Sequence, residues 1–437
     1  MKILLVGNGG RENALAYKIA NSESFISSDS ELFCTLGNPG IDGYAKSIDI
    51  KPTDINELLE FAKRNKIDLT VVGPELPLSL GIVDLFGKNG LKIFGPSKNA
   101  AEIESSKVFA KKLMQENNIP TADFKSFEMS EISDSFSYLK NINYPVVIKA
   151  DGLAAGKGVI IAENYVEAEK TIKDFTENKI FGESGENFII EEFLQGYELS
   201  IFAITDGDNY ILLPSSQDHK KIGEGDTGKN TGGMGAYAPA DILFDEILKK
   251  NTEELIIKPV LNALKKNGRK YSGCLYCGLM ISENEKKEKV PYVIEFNCRF
   301  GDPETQAVLP LLESDFLDLL LYTVDNRISE YKLLTSDKFS SCVVLSSDGY
   351  PDKYETGKII SGLDLLDDDC LVFHSGTKYS NNNIVSNGGR VLSIVCSDNG
   401  SFRKSLEKCY RNIEKISFEN KYFRKDIGLK IIKFFEN

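Results

Sequence analysis

Over the first hundred residues, short apolar runs alternate with helical patterns, and this alternation limits the fold more than any other feature of the chain. Ile3–Val6, Leu32–Leu36, Leu69–Val72 and Lys92–Phe94 read as buried strands. Helices are expected at Arg11–Asn21, at Asp54–Asn65 with Thr53 as N-cap, and at Leu78–Asn89. Strands separated by helices pair in parallel and carry helices on both faces. The strands run into "GNGGRE", "GNPG" and "GPE", and sheets of this kind bind ligands beyond such carboxyl ends.

"GNGGRE" has three readings. Gly7-x-Gly9 opens a dinucleotide fingerprint, but Glu12 stands where its third glycine belongs, and no acidic residue ends the second strand to hold a ribose. An anion held by the Gly9 and Gly10 amides at the helix N-terminus is the second. A glycine turn that only permits close packing is the third.

A helix is expected near Lys98–Asn117, ended by the proline of "NIPTADF". From about 120 to 330 the strands lengthen and follow one another like hairpins: Pro145–Ala150, Val159–Ala162, Phe188–Leu194, Leu199–Thr205 and Tyr210–Pro214. That stretch reads as α+β. Strands near Cys342–Leu345 and Arg390–Cys396, with a helix near Phe402–Ile416, suggest a small third unit. A chain of 437 residues has room for two to four such units.

The net charge of −13 argues against a nucleic-acid surface, so any anion site is local. No apolar run is long enough to span a membrane, and "MKILLVGNGG" is too short for a signal peptide. A cytosolic protein is expected. Cys274 and Cys277 lie in "GCLYCGLMI", which reads as a buried strand rather than half of a zinc site. With only His219 and His374 in the chain, His219 is the one candidate catalytic imidazole.

"YVIEFNCRFGDPE", Tyr292 to Glu304, carries the strongest chemical pattern. Alternate residues of a strand share a face. Ile294, Phe296, Cys298 and Phe300 form an apolar one; Glu295, Asn297 and Arg299 line the other. Asn and Glu are poor strand formers. Glu295 and Asn297 stand about 7 Å apart by strand rise and offer two hard oxygens to one magnesium, which takes the rest from phosphates. Arg299 would bridge a transferring phosphoryl group. The plain alternative is a solvated strand.

"KADGLAAGKGVII", Lys149 to Ile161, has the glycines of a phosphate loop but not the P-loop spacing. Lys149 faces it. "PSSQDHKKIGEGDTGKNTGGMGAY" holds six glycines between Gly223 and Gly235, so it reads as a mobile substrate loop or a floppy surface excursion, with Asp218 and Lys220 at its better defined start. Lys107 reads alone as an exposed helix lysine, and Glu191, Glu192 and Glu198 as an acidic rim.

Together, Lys107, Lys149 with "DGLAAGKGV", "EEFLQGYELS", "QDHK…NTGGMGAY" and "EFNCRFGDPETQ" resemble the ATP-grasp enzymes, and among them the glycinamide ribonucleotide synthetase family. The resemblance runs from "GNGGRE" to "NGGRVL" and "YFRKDIG", nearly the whole chain. It implies a Rossmann-like N-terminal domain (1–105), a central ATP-grasp domain (106–328, lid about 121–195) and a small mixed α/β C-terminal domain (329–437). It implies ATP, glycine and 5-phosphoribosylamine as substrates, Mg2+ or Mn2+, and a monomer. By the same resemblance Lys107, Lys149, Gly152, Gly156, Lys157 and Gly158 hold the nucleotide phosphates. Backbone of Glu191, Phe193 and Leu194 meets adenine, and Glu198 the ribose. Glu295 and Asn297 would bind metal, and Arg299, Lys220 and Asp218 would serve catalysis. Gly9, Gly10 and Glu75 would meet phosphoribosylamine. The family usually has arginine where Lys221 stands and proline where Lys229 stands.

Three rivals remain at the level of sequence. One is an ATP-grasp enzyme that takes bicarbonate; the others are a dinucleotide-dependent oxidoreductase and a nucleotide sensor without catalysis.

Overall fold

The computed structural model describes residues 1–153, 158–240, 245–284 and 286–435. The N-terminal alternation builds a five-stranded parallel sheet from β1 (Lys2–Val6), β2 (Glu31–Thr35), β3 (Lys46–Ile48), β4 (Leu69–Val72) and β5 (Ile93–Phe94), in the order β3-β2-β1-β4-β5. The sheet is covered on both faces because β1 is apolar on both. Ile3 and Leu5 share a core with Ala14, Leu15 and Ile19 of the helix Gly10–Ala20. Leu4 and Val6 share another with Leu58 and Ala62 of the helix Ile55–Asn65. That second helix is capped at Asp54, one residue after the expected Thr53.

Two expected helices are each divided. Leu78–Asn89 becomes Glu75–Leu80 and Ile82–Lys88, split at Gly81 with φ +91°, a left-handed backbone that glycine adopts without a Cβ clash. Lys98–Asn117 becomes Lys98–Ser105 and Lys107–Glu116, split at Ser106, whose backbone is extended and whose hydroxyl accepts the Phe109 N–H.

The next strands, β6 (Phe124–Glu128), β7 (Val146–Ala150), β8 (Val159–Ala162) and β9 (Asn187–Glu192), form an antiparallel sheet in the order β6-β9-β7-β8. Its apolar face packs on Leu139, Ala168, Ile172 and Phe175, giving this region its own core.

The middle segment also supplies β10 (Tyr197–Thr205), β11 (Tyr210–Leu212), β12 (Gln217–Asp218), β13 (Lys221–Gly223), β14 (Thr227–Asn230), β15 (Gly235–Ala238), β16 (Gly273–Glu283) and β17 (Lys289–Asn297). Four of them make the antiparallel sheet β11-β10-β16-β17. Cys274 and Cys277 lie buried in β16 as free thiols, as a strand reading requires. From the C-terminal segment come β18 (Lys338–Ser347), β19 (Leu371–His374), β20 (Thr377–Ser380), β21 (Asn383–Ser386) and β22 (Arg390–Asn399). β18, β22 and β19 share a sheet with β12 and β15, in the order β12-β15-β18-β22-β19, while β20 and β21 pair with each other. Among the described residues, no helix is long and apolar enough to cross a membrane.

Candidate active site

β17 carries the acidic centre. Its pairing with β16 slips where Gly278 faces Glu295 and Leu279 faces Val293, leaving Ile294 as a bulge. The Ile294 carbonyl accepts a hydrogen bond from Lys149 Nζ at 3.0 Å, which brings β7 against β17. Glu295 then lies among cations. Burial pushes its carboxyl up, but Lys220, Lys149, Arg299 and Lys107 overcome that and hold it below the usual range.

Arg299 lies one bend beyond the end of β17, not within the strand as the alternation suggested. Its Nε donates to Glu75 at 3.1 Å, and its terminal nitrogen reaches Glu104 and Asn297 Oδ1, each at 3.2 Å. Glu104, buried, also accepts the Cys298 N–H at 2.7 Å. Burial raises Glu75, and Arg299 with Arg11 then brings it down to about 2. Two carboxylates thus fix one guanidinium fork.

Lys220 pairs with Glu198 at 3.0 Å and approaches Glu295 at 3.7 Å. Burial works against its charge, but Glu198, Asp218 and Glu295 raise its pKa. Burial raises Asp218, with Lys220 opposing and Glu304, Glu198 and Glu295 adding to the rise. Lys149 Nζ also pairs with Glu191 at 2.9 Å, and Lys111 meets the other oxygen of Glu191 at 3.3 Å. Lys107, first in its helix, donates to the Gly152 carbonyl at 2.8 Å, and burial lowers its pKa.

Glu75, Lys107, Lys149, Glu191, Glu198, Asp218, Lys220, Glu295, Asn297 and Arg299 therefore form one connected charge network. Gly152, with φ +99°, joins it through the Lys107 bond, and the Gly158 carbonyl accepts the Ala150 N–H at 2.9 Å. Gly156 and Lys157 lie outside the described residues. Phe193 is exposed just after β9 and Leu194 is half-buried. Lys149 is a buried, doubly bonded side chain, and Lys107 is partly buried, which does not fit the reading of Lys107 as an exposed helix lysine.

"GNGGRE" adjoins this network through Arg11, whose guanidinium donates to the Phe300 carbonyl at 3.1 Å. The Gly9 amide, expected to hold an anion, donates to Glu12 at 2.7 Å instead. Glu12 occupies that place because Gly73 leaves room: a Cβ there would lie 2.1 Å from its carboxylate. Gly10 sits against the C-terminal segment, where a Cβ would come within 2.4 Å of Ser375 Oγ.

His219 does not join the site. It is buried, its Nε2 accepts the Gly428 N–H at 3.0 Å, and burial lowers its pKa to about 4. The glycine-rich stretch after it is not a loose excursion. Lys221–Gly223 pairs with Thr227–Asn230, and Lys229 makes an ion pair with Asp352 at 2.7 Å.

Sequence reasoning missed Glu104, Lys111, Glu12 and Arg390. Arg390 clamps two glycine-rich turns by donating to the carbonyls of Gly232 and Asp302 and to the Asp302 carboxylate. Glu104 left a signal, since it interrupts the apolar stripe Ala100, Ala101, Ile103 of its helix. Glu12, three residues after Gly9, left the spacing of a capping box at a helix start; Lys111 and Arg390 left none, because their partners lie elsewhere in sequence.

A parallel sheet, two four-stranded antiparallel sheets and a cation-ringed carboxylate strand are the frame of an ATP-grasp architecture. The biotin carboxylase of Campylobacter jejuni has that fold, with a TM-score of 0.72 at 17% identity over 99% of this chain and 95% of its own. The family is narrower than the fold: residues 1–104, 105–305 and 340–430 match the N, ATP-grasp (A) and C domains of phosphoribosylglycinamide synthetase, and the chain belongs to that family. It is 47% identical to the phosphoribosylamine–glycine ligase of Caldanaerobacter subterraneus over 98% of this chain and 99% of the relative. Against an Escherichia coli O6:H1 ligase of the same name the identity is 43%, with 99% of each chain covered. The crystal structure of the Thermotoga maritima phosphoribosylamine–glycine ligase superposes with a TM-score of 0.82 at 32% identity, covering 98% of this chain and all of that one.

Proposed function

We propose that the chain joins glycine to 5-phosphoribosylamine, converting ATP to ADP and phosphate and releasing glycinamide ribonucleotide. The observation that carries this reading is the ring of Lys107, Lys149, Lys220 and Arg299 around Glu295, in a chain of this family from end to end.

In the first step a glycine carboxylate oxygen attacks the γ-phosphorus. The new O–P bond forms as the bridging P–O bond breaks, and ADP leaves. In the second, the amine nitrogen of phosphoribosylamine attacks the acyl carbon of glycyl phosphate. The C–O bond to phosphate breaks, the amide forms, and the nitrogen gives up a proton. Neither step needs a protein nucleophile, so the protein contributes position and charge.

Lys107, Lys149, Gly152, Gly156, Lys157 and Gly158 serve the nucleotide phosphates. The Glu191–Leu194 backbone and Phe193 face adenine, while Glu198 takes the ribose. Arg299, held between Glu75 and Glu104, and Lys220 face the phosphoryl and acyl groups in transit, and Asp218 orients the glycine amine. Gly10 and Glu75 lie on the phosphoribosylamine side, and Gly9 shapes that turn through its bond to Glu12.

Glu295, kept ionised by its cation neighbours, and the amide oxygen of Asn297 form a hard-oxygen pair that fits Mg2+ or Mn2+ sharing nucleotide phosphates. When bound, such an ion supplies charge neutralisation for the phosphoryl oxygens. The free thiols of the chain suit a reducing cytoplasm, where we place it as a monomer.

Glycine labelled with 18O in its carboxylate tests the intermediate. One labelled oxygen should appear in each released phosphate; unlabelled phosphate would rule out glycyl phosphate.

A further inference from the structure

Asp218, His219 and Lys220 follow one another, yet their contacts divide. Lys220 turns to Glu198 and Glu295, Asp218 feels the same carboxylates, and His219 is buried against the C-terminal segment. There, Gly428 N–H donates to His219 Nε2 at 3.0 Å. Two successive carbonyls are held from the same segment. Arg424 donates to Lys221 O at 3.0 Å, and the Tyr422 hydroxyl donates to Ile222 O at 2.8 Å. Arg424, 1% exposed, also meets Asp226 at 3.0 Å and Asp426 at 2.7 Å, and Asp426 accepts the Gly225 N–H at 2.8 Å.

Glycine-rich backbone loses much conformational entropy when fixed, roughly 1–2 kcal/mol per residue, so its position follows from whatever bonds it. Local bonds order part of it, with Thr231 N–H donating to Lys220 O at 2.7 Å and Met234 N–H to His219 O at 2.8 Å; the bonds at His219 Nε2, Lys221 O and Ile222 O come from residues about two hundred positions later in the chain.

We propose that "YFRKDIG", residues 422–428, is a positioning segment for the ligase reaction, with His219 and Arg424 fixing the backbone from which Asp218 and Lys220 reach the acyl-transfer site. This rests on the roles given to Asp218 and Lys220 above. The C-terminal segment is then a working part of the site, although it contributes no group that touches substrate.

The test compares His219→Leu, which removes the acceptor, with His219→Gln, whose amide oxygen can still accept the Gly428 N–H. Glycine-dependent kcat and KM are measured with thermal stability, well below the melting temperature. His219→Leu should lower kcat and raise the KM for glycine, together by about tenfold to a hundredfold, the scale of a misplacement near 1 Å. His219→Gln should recover most of that. If His219→Leu does not fold, Tyr422→Phe, which removes only the bond to Ile222, should show the same shift at smaller size. A lower melting temperature with unchanged kcat and KM in the folding variants would overturn the proposal, as would His219→Gln being as impaired as His219→Leu. An inactive wild-type protein in the same assay would overturn the ligase reading instead.

Discussion

Arg299 shows how much of this site depends on single side chains held by distant ones. Glu75 and Glu104 grip its guanidinium from two other elements, and lysine cannot reproduce that fork. Arg299→Lys should lower turnover by about a hundredfold or more, the scale of losing one electrostatic stabiliser, with the protein still folded by circular dichroism. Glu295→Gln should do the same, since its half-buried side chain is not part of the apolar core; an unchanged rate at saturating magnesium would remove it from the metal site. Glu191 serves stability as well. Truncating it to alanine leaves Lys111 and Lys149 without their shared buried partner, a loss on the order of 3–5 kcal/mol, readable in urea denaturation. The row of Glu295, Asn297 and Arg299 was legible because strand periodicity makes polar residues on one face conspicuous. The bulge at Ile294 was not, because it depends on how β16 pairs with β17.

At the scale of elements, the parallel strands and most helix ends could be read from apolar runs. The two helix breaks could not, because the helical pattern continues through Gly81 and Ser106. The second break has a consequence: it puts Lys107 at a helix start, where it reaches Gly152, while Ser106 caps the helix and donates to Asp151 at 3.2 Å. Ser106→Ala should cost about 1 kcal/mol from the lost cap, measured as a shift in the denaturation midpoint without a change in slope. The stretch from Gly223 to Gly235 misled for a related reason. Its composition promises freedom, but composition does not reveal Arg390, which binds the Gly232 carbonyl, or Arg424, which pairs with Asp226, both from far later in the chain.

Over the whole molecule, burial of both histidines makes stability depend on pH. His219 lies near Arg424, Asp226 and Asp426, and His374 bonds Thr377; burial lowers each to about 4. The unfolded chain takes up these protons first, below about 6.5. Stability is therefore full above that pH and falls as pH drops toward about 4. Glu75, lowered to about 2, extends the fall in the same direction. Urea midpoints at pH 7.5 and 5 should differ accordingly, and His374→Asn should shrink the difference. The C-terminal sheet takes in β12 and β15 of the middle segment, and Glu75 of the N-terminal segment grips Arg299; the proposed reaction should need every substrate together. The most direct measurement is ADP release from ATP and Mg2+ with glycine and phosphoribosylamine supplied together, singly, and with bicarbonate replacing glycine. Turnover is expected only with glycine and phosphoribosylamine both present; equal turnover with bicarbonate, or none with glycine, would show that the chain catalyses a different reaction.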